Sequence, residues 1–296
     1  MSFAVFDILY AMADTIVKPL MFLHGDSFIV FSSGVLHGRT TIGSEACCAI
    51  CALFCASVAF LGLHFIYRYI VVCQSYKLYL FTWPYSTIWI AFVAFFTAYW
   101  GLVCYFLLCP DRSFREYIRG SFAAAFEDDT LNVGFIGALY YTVQNSTTVV
   151  NWGYCAGIAN LLLIQFTTFS IIIYCGPHIY FNLTKVTLSA RTRNLQIQLF
   201  RALVAQTLLP LFLCYIPCTM IFLVPLSGLQ LGFLPKWAPI CLSLYPVMDP
   251  IVTMYFVREY RTAILGMFGW KPRPVADISF TNTYVDQKST VVNTDV

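Results

Sequence analysis

Five ionisable side chains stand where the chain is otherwise apolar. They are Asp7, Asp14 and Lys18 near the start, Arg68 at the end of a long apolar run, and Asp249 just before Pro250. A carboxylate or guanidinium in apolar surroundings is costly without a partner, so such residues mark a polar network or a function. Asp7 and Asp14 are seven residues apart and share one helix face. Lys18 follows Asp14 at i+4 and can pair with it within the helix. Two buried carboxylates cannot both stay ionised without a cation or a proton between them. The spacing therefore predicts an Asp7–Arg68–Asp249 cluster that holds one resting state; a water-filled crevice beside Asp7 is the plainer alternative. Catalytic chemistry has no foothold. The sequence contains no H-E-x-x-H, G-x-S-x-G or Walker loop, and its four histidines (His24, His37, His64, His178) are scattered. Its twelve cysteines fall mostly in apolar stretches. Cys48 and Cys51 form a C-x-x-C with no histidine nearby, so they read as small buried apolar residues rather than metal ligands. No cofactor or metal is expected.

The elements that must carry these residues follow from composition. Of 296 residues, 59% are apolar and 10% charged. A soluble domain is nearer 45–50% and about 25%. Too few polar side chains exist to cover a water-facing surface. A soluble enzyme, a disordered chain and a basic nucleic-acid-binding domain are excluded, and a multi-pass membrane protein remains, with the lipid bilayer as partner. Six stretches approach the about 20 apolar residues that cross a bilayer: 2–23, 45–73, 84–109, 152–175, 199–224 and 237–257. The expected fold is an all-α membrane bundle. The apolar stretches 28–31 and 131–143 are too short to cross and read as folded-loop or interfacial segments. The start has no basic region or small-residue cleavage site, so it does not read as a signal peptide.

Basic residues give the sidedness. Arg68, Lys77, Lys185, Arg191, Arg193, Arg201 and the tail residues Arg258, Arg261, Lys271, Arg273 and Lys288 fall on one side. Lys18, Arg39, Arg112, Arg115, Arg119 and Lys236 fall on the other. The positive-inside rule puts the richer side, with the C-terminus, in the cytoplasm. Six spans then place both termini inside. The sequon at Asn145 lies outside, where its chemistry permits glycosylation, and the one at Asn182 falls inside and is expected to be silent. The loop 110–148 carries Asp111, Glu116, Glu127, Asp128 and Asp129, which could steer cations weakly. Cys47 or Cys48 and Cys109 share the outer side, where a disulfide is conceivable.

Ordered motifs follow. His64-Phe-Ile-Tyr-Arg-Tyr69 ends the second stretch, with Tyr67 where rhodopsin-like receptors carry an acid before the arginine. Leu195-Gln-Ile-Gln-Leu-Phe200 opens the fifth, which continues through Gln206-Thr-Leu-Leu-Pro210 and Tyr215-Ile-Pro217. Pro210 and Pro217 each remove a backbone donor, so a kink is expected there. The sixth ends in Tyr245-Pro-Val-Met-Asp249-Pro250, followed by Tyr260-Arg261. Residues 258–270 are amphipathic and suit a helix on the membrane surface.

These motifs, with Tyr174-Cys-Gly176, resemble the nematode Str family of serpentine chemoreceptors over residues 1 to about 266. The resemblance implies a rhodopsin-like seven-helix bundle and an odorant receptor, not an enzyme, coupled to a heterotrimeric G protein in a sensory cilium. Phe3, Phe6-Asp7 and Lys18-Pro19 resemble that family's second helix, so its first helix has no evident counterpart. The alternatives are a non-signalling receptor relic and a small-solute transporter, although the internal repeats a transporter shows are not evident.

A small-molecule pocket is expected in the outer half of the bundle, where Glu45, Cys48, Phe54, Trp152, Tyr154, Asn160, Tyr215, Phe222, Trp237 and Tyr245 stand near the span ends. Switch residues are Asp7, Arg68, Pro210, Pro217, Asp249 and Pro250; G-protein contacts are Tyr69, Lys185, Arg191, Arg193 and Arg201. The polar Ser/Thr-rich tail 271–296 reads as disordered and open to phosphorylation. Thr294-Asp-Val296 fits a loose PDZ-ligand pattern, and the tail is also where arrestin contact is expected.

Overall fold

The computed structural model describes residues 2–144, 147–185, 190–229, 231–256, 261, 262 and 266. The elements run α1 (Ser2–Val17), β1 (Pro19–His24), β2 (Ser27–Ser32), α2 (Thr40–Cys73), α3 (Ser86–Leu107), α4 (Arg112–Phe126), β3 (Phe135–Leu139), β4 (Tyr141–Gln144), β5 (Thr147–Val150), α5 (Trp152–Lys185), α6 (Ala190–Pro210), a π-helical segment (Leu211–Tyr215), α7 (Ile216–Leu223) and α8 (Leu234–Phe256). Five helical stretches are long and apolar enough to cross a membrane: 40–73, 86–107, 152–185, 193–227 and 234–256. They carry the last five of the six expected spans.

The first expected span, 2–23, is corrected. α1 stops at Val17, so it is roughly 24 Å long. Lys18 takes a left-handed φ of 46° and Pro19 follows. A residue before proline is pushed out of the α region, which ends the helix here. The chain then turns into β1, and Gly25, at φ 52°, makes the tight turn to β2. β2 pairs with β1 on one side and β3 on the other, both antiparallel. The stretches 28–31 and 131–143 are thus strands joined across more than a hundred residues. β4 and β5 form a separate hairpin.

The sheet is buried on both faces. Phe28, Val30, Ile136 and Ala138 point into the helix bundle. Ile29, Phe31, Phe135 and Leu139 point the other way, onto Phe114, Ile118 and Phe122 of α4. α4 is the amphipathic helix that makes this possible. Asp111 caps its start by accepting from the Phe114 N–H at 2.8 Å. The sheet is therefore a middle layer between the bundle and α4.

At the opposite end, Ser75–Phe81 forms a short 3-10 turn between α2 and α3. Phe81 stacks on Trp89 at 5.0 Å. Tyr76, Tyr79, Trp83 and Tyr85 are exposed there, as aromatic side chains are at a membrane–water interface.

α5 extends ten residues beyond the expected 175, through Pro177 to Lys185. His178 Nδ1 lies 2.8 Å from the Tyr174 carbonyl. Asn182 Nδ2 donates to the His178 carbonyl at 2.9 Å and approaches Cys73 Sγ at 3.2 Å, tying α5 to α2. All twelve cysteines are free thiols, so Cys47, Cys48 and Cys109 form no disulfide.

Candidate functional site

A cavity lies directly beneath the sheet. Met21, Phe28, Val30 and Ile136 roof it; Ile50, Cys51 and Phe54 of α2, Trp100 and Cys104 of α3, Leu161 of α5, Cys218 and Phe222 of α7, Leu242 of α8 and Tyr10 of α1 form its walls. It offers about 60 Å³ to the centre of a water-sized sphere. One water needs roughly 10–15 Å³ on that measure. The lining is almost wholly carbon and thiol sulfur, so the cavity is suited to an apolar guest rather than to water. Recognition there would rest on shape, dispersion and the aromatic edges of Phe54 and Trp100, whose rings are 6.1 Å apart.

The expected pocket residues divide around this space. Phe54 and Phe222 line it. Tyr215 sits behind Phe54, with ring centroids at 5.3 Å. Tyr245 packs edge-on against Tyr10 at 6.4 Å. Cys48 is buried in the same core without reaching the cavity. The others point elsewhere. Trp152 and Trp237 are exposed. Tyr154 packs on Phe114 of α4 at 5.7 Å. Asn160 accepts from Tyr99 at 2.9 Å, on the α3 side. Glu45 lines a separate, open, polar hollow with Thr40, Cys109 and Arg115. Height along the helix axis placed all these residues in the outer half, but only the facing direction admits a side chain to the cavity. The roof residues stand on strands that the apolar runs alone do not mark, although Gly25-Asp26 between two such runs is a hairpin signal.

The ionisable residues of the apolar stretches separate as well. Arg68 donates to Gln196 Oε1 at 3.0 Å, joining α2 to α6. Among the described residues the ion pairs are His37–Asp128, Arg112–Glu116 and Arg119–Asp129, and none joins Arg68 to Asp7. Asp7 is buried on α1. The side chain of Asp249 lies outside the described residues. Asp14 accepts from Ser243 of α8 at 2.9 Å. Lys18 lies past the helix end, where its backbone N–H, not its ammonium, reaches the Asp14 carbonyl at 2.7 Å. Four of the five acids of loop 110–148 are occupied within the loop layer: Asp111 as a cap, and Glu116, Asp128 and Asp129 in the ion pairs.

Pro210 and Pro217 bracket the π-helical segment. A proline donates no backbone hydrogen bond, and the helix answers here by widening one turn, where the Ile216 N–H reaches back five residues to the Leu211 carbonyl. Tyr215 closes that turn and touches both Phe54 and Phe169, the latter at 5.2 Å. A continuous aromatic contact thus runs from the cavity wall to the irregular turn. Pro250 lies within α8.

Tyr69 packs on Tyr174 at 6.1 Å and accepts from Gln74 Nε2 at 3.2 Å. Lys185, Arg193 and Arg201 are exposed at the same end. Asn145, the Arg191 side chain, most of 258–270 and the tail lie outside the described residues.

The family model for the serpentine-type seven-transmembrane G-protein-coupled chemoreceptor Str matches residues 1–265. Serpentine receptor class r-10 of Caenorhabditis briggsae is 30% identical over 95% of this chain and 83% of its own length. Its Caenorhabditis elegans namesake is 29% identical over 92% of this chain and 81% of its own. The G-protein-coupled receptor str-33 of C. elegans is 26% identical over 90% and 79%. No solved structure matches. A buried apolar cavity beneath a folded loop layer, a bundle of membrane-length helices and a match over nearly the whole chain agree: the chain belongs to the Str family of serpentine chemoreceptors, multi-pass membrane proteins of the G-protein-coupled receptor type.

Proposed function

We propose that this receptor detects a small apolar molecule, of the volatile odorant class, in the cavity beneath the sheet. The observation that carries the reading is the cavity itself: apolar, roofed by the sheet, and walled by Phe54 and Phe222. A guest pressing on Phe54 acts on Tyr215, hence on the widened turn between Pro210 and Pro217. The α6 half of the helix then swings about that turn, and the Arg68–Gln196 bond at its far end is the contact that must break. Asp7, Asp249 and Pro250 belong to the same switch in this proposal. A heterotrimeric G protein docks at Tyr69, Lys185, Arg191, Arg193 and Arg201.

The basic end faces the cytoplasm by the positive-inside rule, with the C-terminus. The sheet and Asn145 then face outward, and the sensory cilium is the proposed site of action. In this reading residues 1–270 are the bundle with its surface helix, and 271–296 are a tail offering phosphorylation sites, arrestin contact and the PDZ-ligand terminus.

The test is a cell line expressing the receptor with a G-protein reporter, challenged with a panel of small apolar volatiles. Leu161→Trp fills the cavity. At unchanged surface expression it should weaken every agonist by about ten-fold or more, as expected when a fitted apolar side chain is displaced. Agonism unaltered by the filled cavity would defeat the proposal.

A further inference from the structure

A second, larger hollow lies at the basic end, along α6, with α5 and Phe256 of α8 completing its lining. It measures about 480 Å³ and is open along one side. Its walls are Tyr180 of α5 and Phe200, Val204 and Leu208 of α6, with Arg193 and Arg201 along the same edge. Among the described residues the lining contains no carboxylate. Arg193 and Arg201 are eight residues apart, about 12 Å along the axis, and both are exposed. α6 begins at Ala190, so Arg193 lies in its first turn and Arg201 two turns further along. The hollow is thus graded: cations where headgroups lie, an aromatic rim at Tyr180 and Phe200, and a bare aliphatic face at Val204 and Leu208 one to two turns deeper.

We propose that this hollow binds an anionic phospholipid of the leaflet at the basic end. The charge and the depth argue for it together. A phosphodiester meets the Arg201 guanidinium, which reaches back to the interface along its own aliphatic stem. One acyl chain covers Val204 and Leu208. Arg193, two turns further out, meets a second anionic group of the headgroup, so a phosphoinositide, with its further phosphates, or phosphatidylserine, with its carboxylate, fits better than a lipid whose phosphodiester is its one anionic group. A soluble phosphate would leave the aliphatic face bare, and a zwitterionic lipid such as phosphatidylcholine would offer one phosphodiester to two arginines and place a cation beside them. The lipid also lies against the helix that carries the Arg68–Gln196 bond, so its occupancy stabilises one position of α6.

The experiment is native mass spectrometry of the full-length receptor in detergent, titrated with phosphatidylinositol 4,5-bisphosphate, phosphatidylserine, phosphatidylcholine and tail-free inositol trisphosphate. The anionic lipids should be retained and phosphatidylcholine not. Each arginine near the surface contributes about five-fold, so Arg193→Gln with Arg201→Gln should weaken retention by about thirty-fold. Arg112→Gln, at the other end, should leave it unchanged. Leu208→Asp should weaken lipid retention while both arginines remain. Equal retention of phosphatidylcholine, or retention insensitive to the double variant, overturns the proposal. So does equal binding of tail-free inositol trisphosphate, which would mean a phosphate site. Loss of G-protein coupling in the double variant with lipid retention intact also overturns it and assigns the arginines to protein docking. The measurement needs neither odorant nor G protein, so its failure leaves the receptor reading untouched.

Discussion

Tyr140 shows how much one side chain holds at the junction of loop layer and bundle. It is fully buried, and its hydroxyl donates to the Phe222 carbonyl at 2.7 Å. That carbonyl lies in the last turn of α7, where the helix supplies no partner of its own. Burial pushes the phenol well above its ordinary pKa, so it stays a donor throughout the physiological range. Tyr140→Phe keeps the ring and removes the bond. It should cost about 1–3 kcal/mol, because a buried acceptor is left unsatisfied. A thermal-unfolding midpoint in detergent should fall by several degrees; an unchanged midpoint would mean that water takes over the carbonyl. Arg115 works similarly in the layer above. Its guanidinium donates to the Thr130 and Val133 carbonyls at 2.7 and 3.0 Å and covers the Phe135 ring at 4.6 Å. The sequence counted Arg115 as one cation on the outer side. Its work in the structure is to fasten the connection from α4 to β3.

At the scale of elements, the sheet decides where the cavity is. β3 is held from both sides: its register to β2 sets Gly137 opposite Ile29, and the Gly137 N–H donates to the Leu108 carbonyl just past α3 at 2.9 Å. A Cβ on Gly137 would lie 2.1 Å from the Phe28 carbonyl oxygen. Backbone cannot yield as a flexible side chain can, so Gly137→Ala must push the strands apart. We expect a loss of about 2–4 kcal/mol, with poor recovery of folded receptor. Gly153→Ala is the control, since nothing lies within 4 Å of its added methyl, and it should change stability by less than about 0.5 kcal/mol. Equal behaviour of the two variants in detergent-solubilised yield and unfolding midpoint would show that the sheet is not what closes the cavity. The π-helical segment is the other decisive element. Two prolines seven residues apart predict an irregular helix, and the irregularity falls between them.

At the scale of the molecule, the loop layer and the bundle respond differently to acid. Arg119 holds the Asp129 carboxylate below its usual range, with the Leu131 N–H adding to this. A carboxylate with a depressed folded pKa stabilises the structure above its unfolded pKa of about 4, and the contribution fades as pH falls through the folded value. The layer should therefore loosen below about pH 4, where the Arg119–Asp129 pair loses its carboxylate charge. The α2, α3 and α5 helices carry no such dependence in their apolar packing. Hydrogen exchange, corrected for intrinsic rates, should rise in 112–139 between pH 6 and pH 3 while those helices stay protected. Uniform protection across both pH values would contradict this, and so would simultaneous loss.

How much of this was legible in the residues varies with the physical reason. Five crossing helices were legible because a bilayer demands long apolar runs, and only the sequence supplies them. The family was legible because Arg68, the Gln196 run, the paired prolines and Asp249-Pro250 keep their order along the chain. The end of α1 was written in Lys18-Pro19, but apolar residues on both sides of it hid the change from helix to strand. What the chain could not reveal were the pairings between distant segments. β2 meets β3 across a hundred residues, Arg68 meets Gln196 rather than Asp7, and Trp100 and Tyr10 join Phe54 around one cavity while Trp152 and Trp237 turn away. Periodicity and composition record how each segment meets its solvent. The direction in which a side chain faces its neighbours is set by helix rotation and strand register, and only packing in three dimensions fixes those.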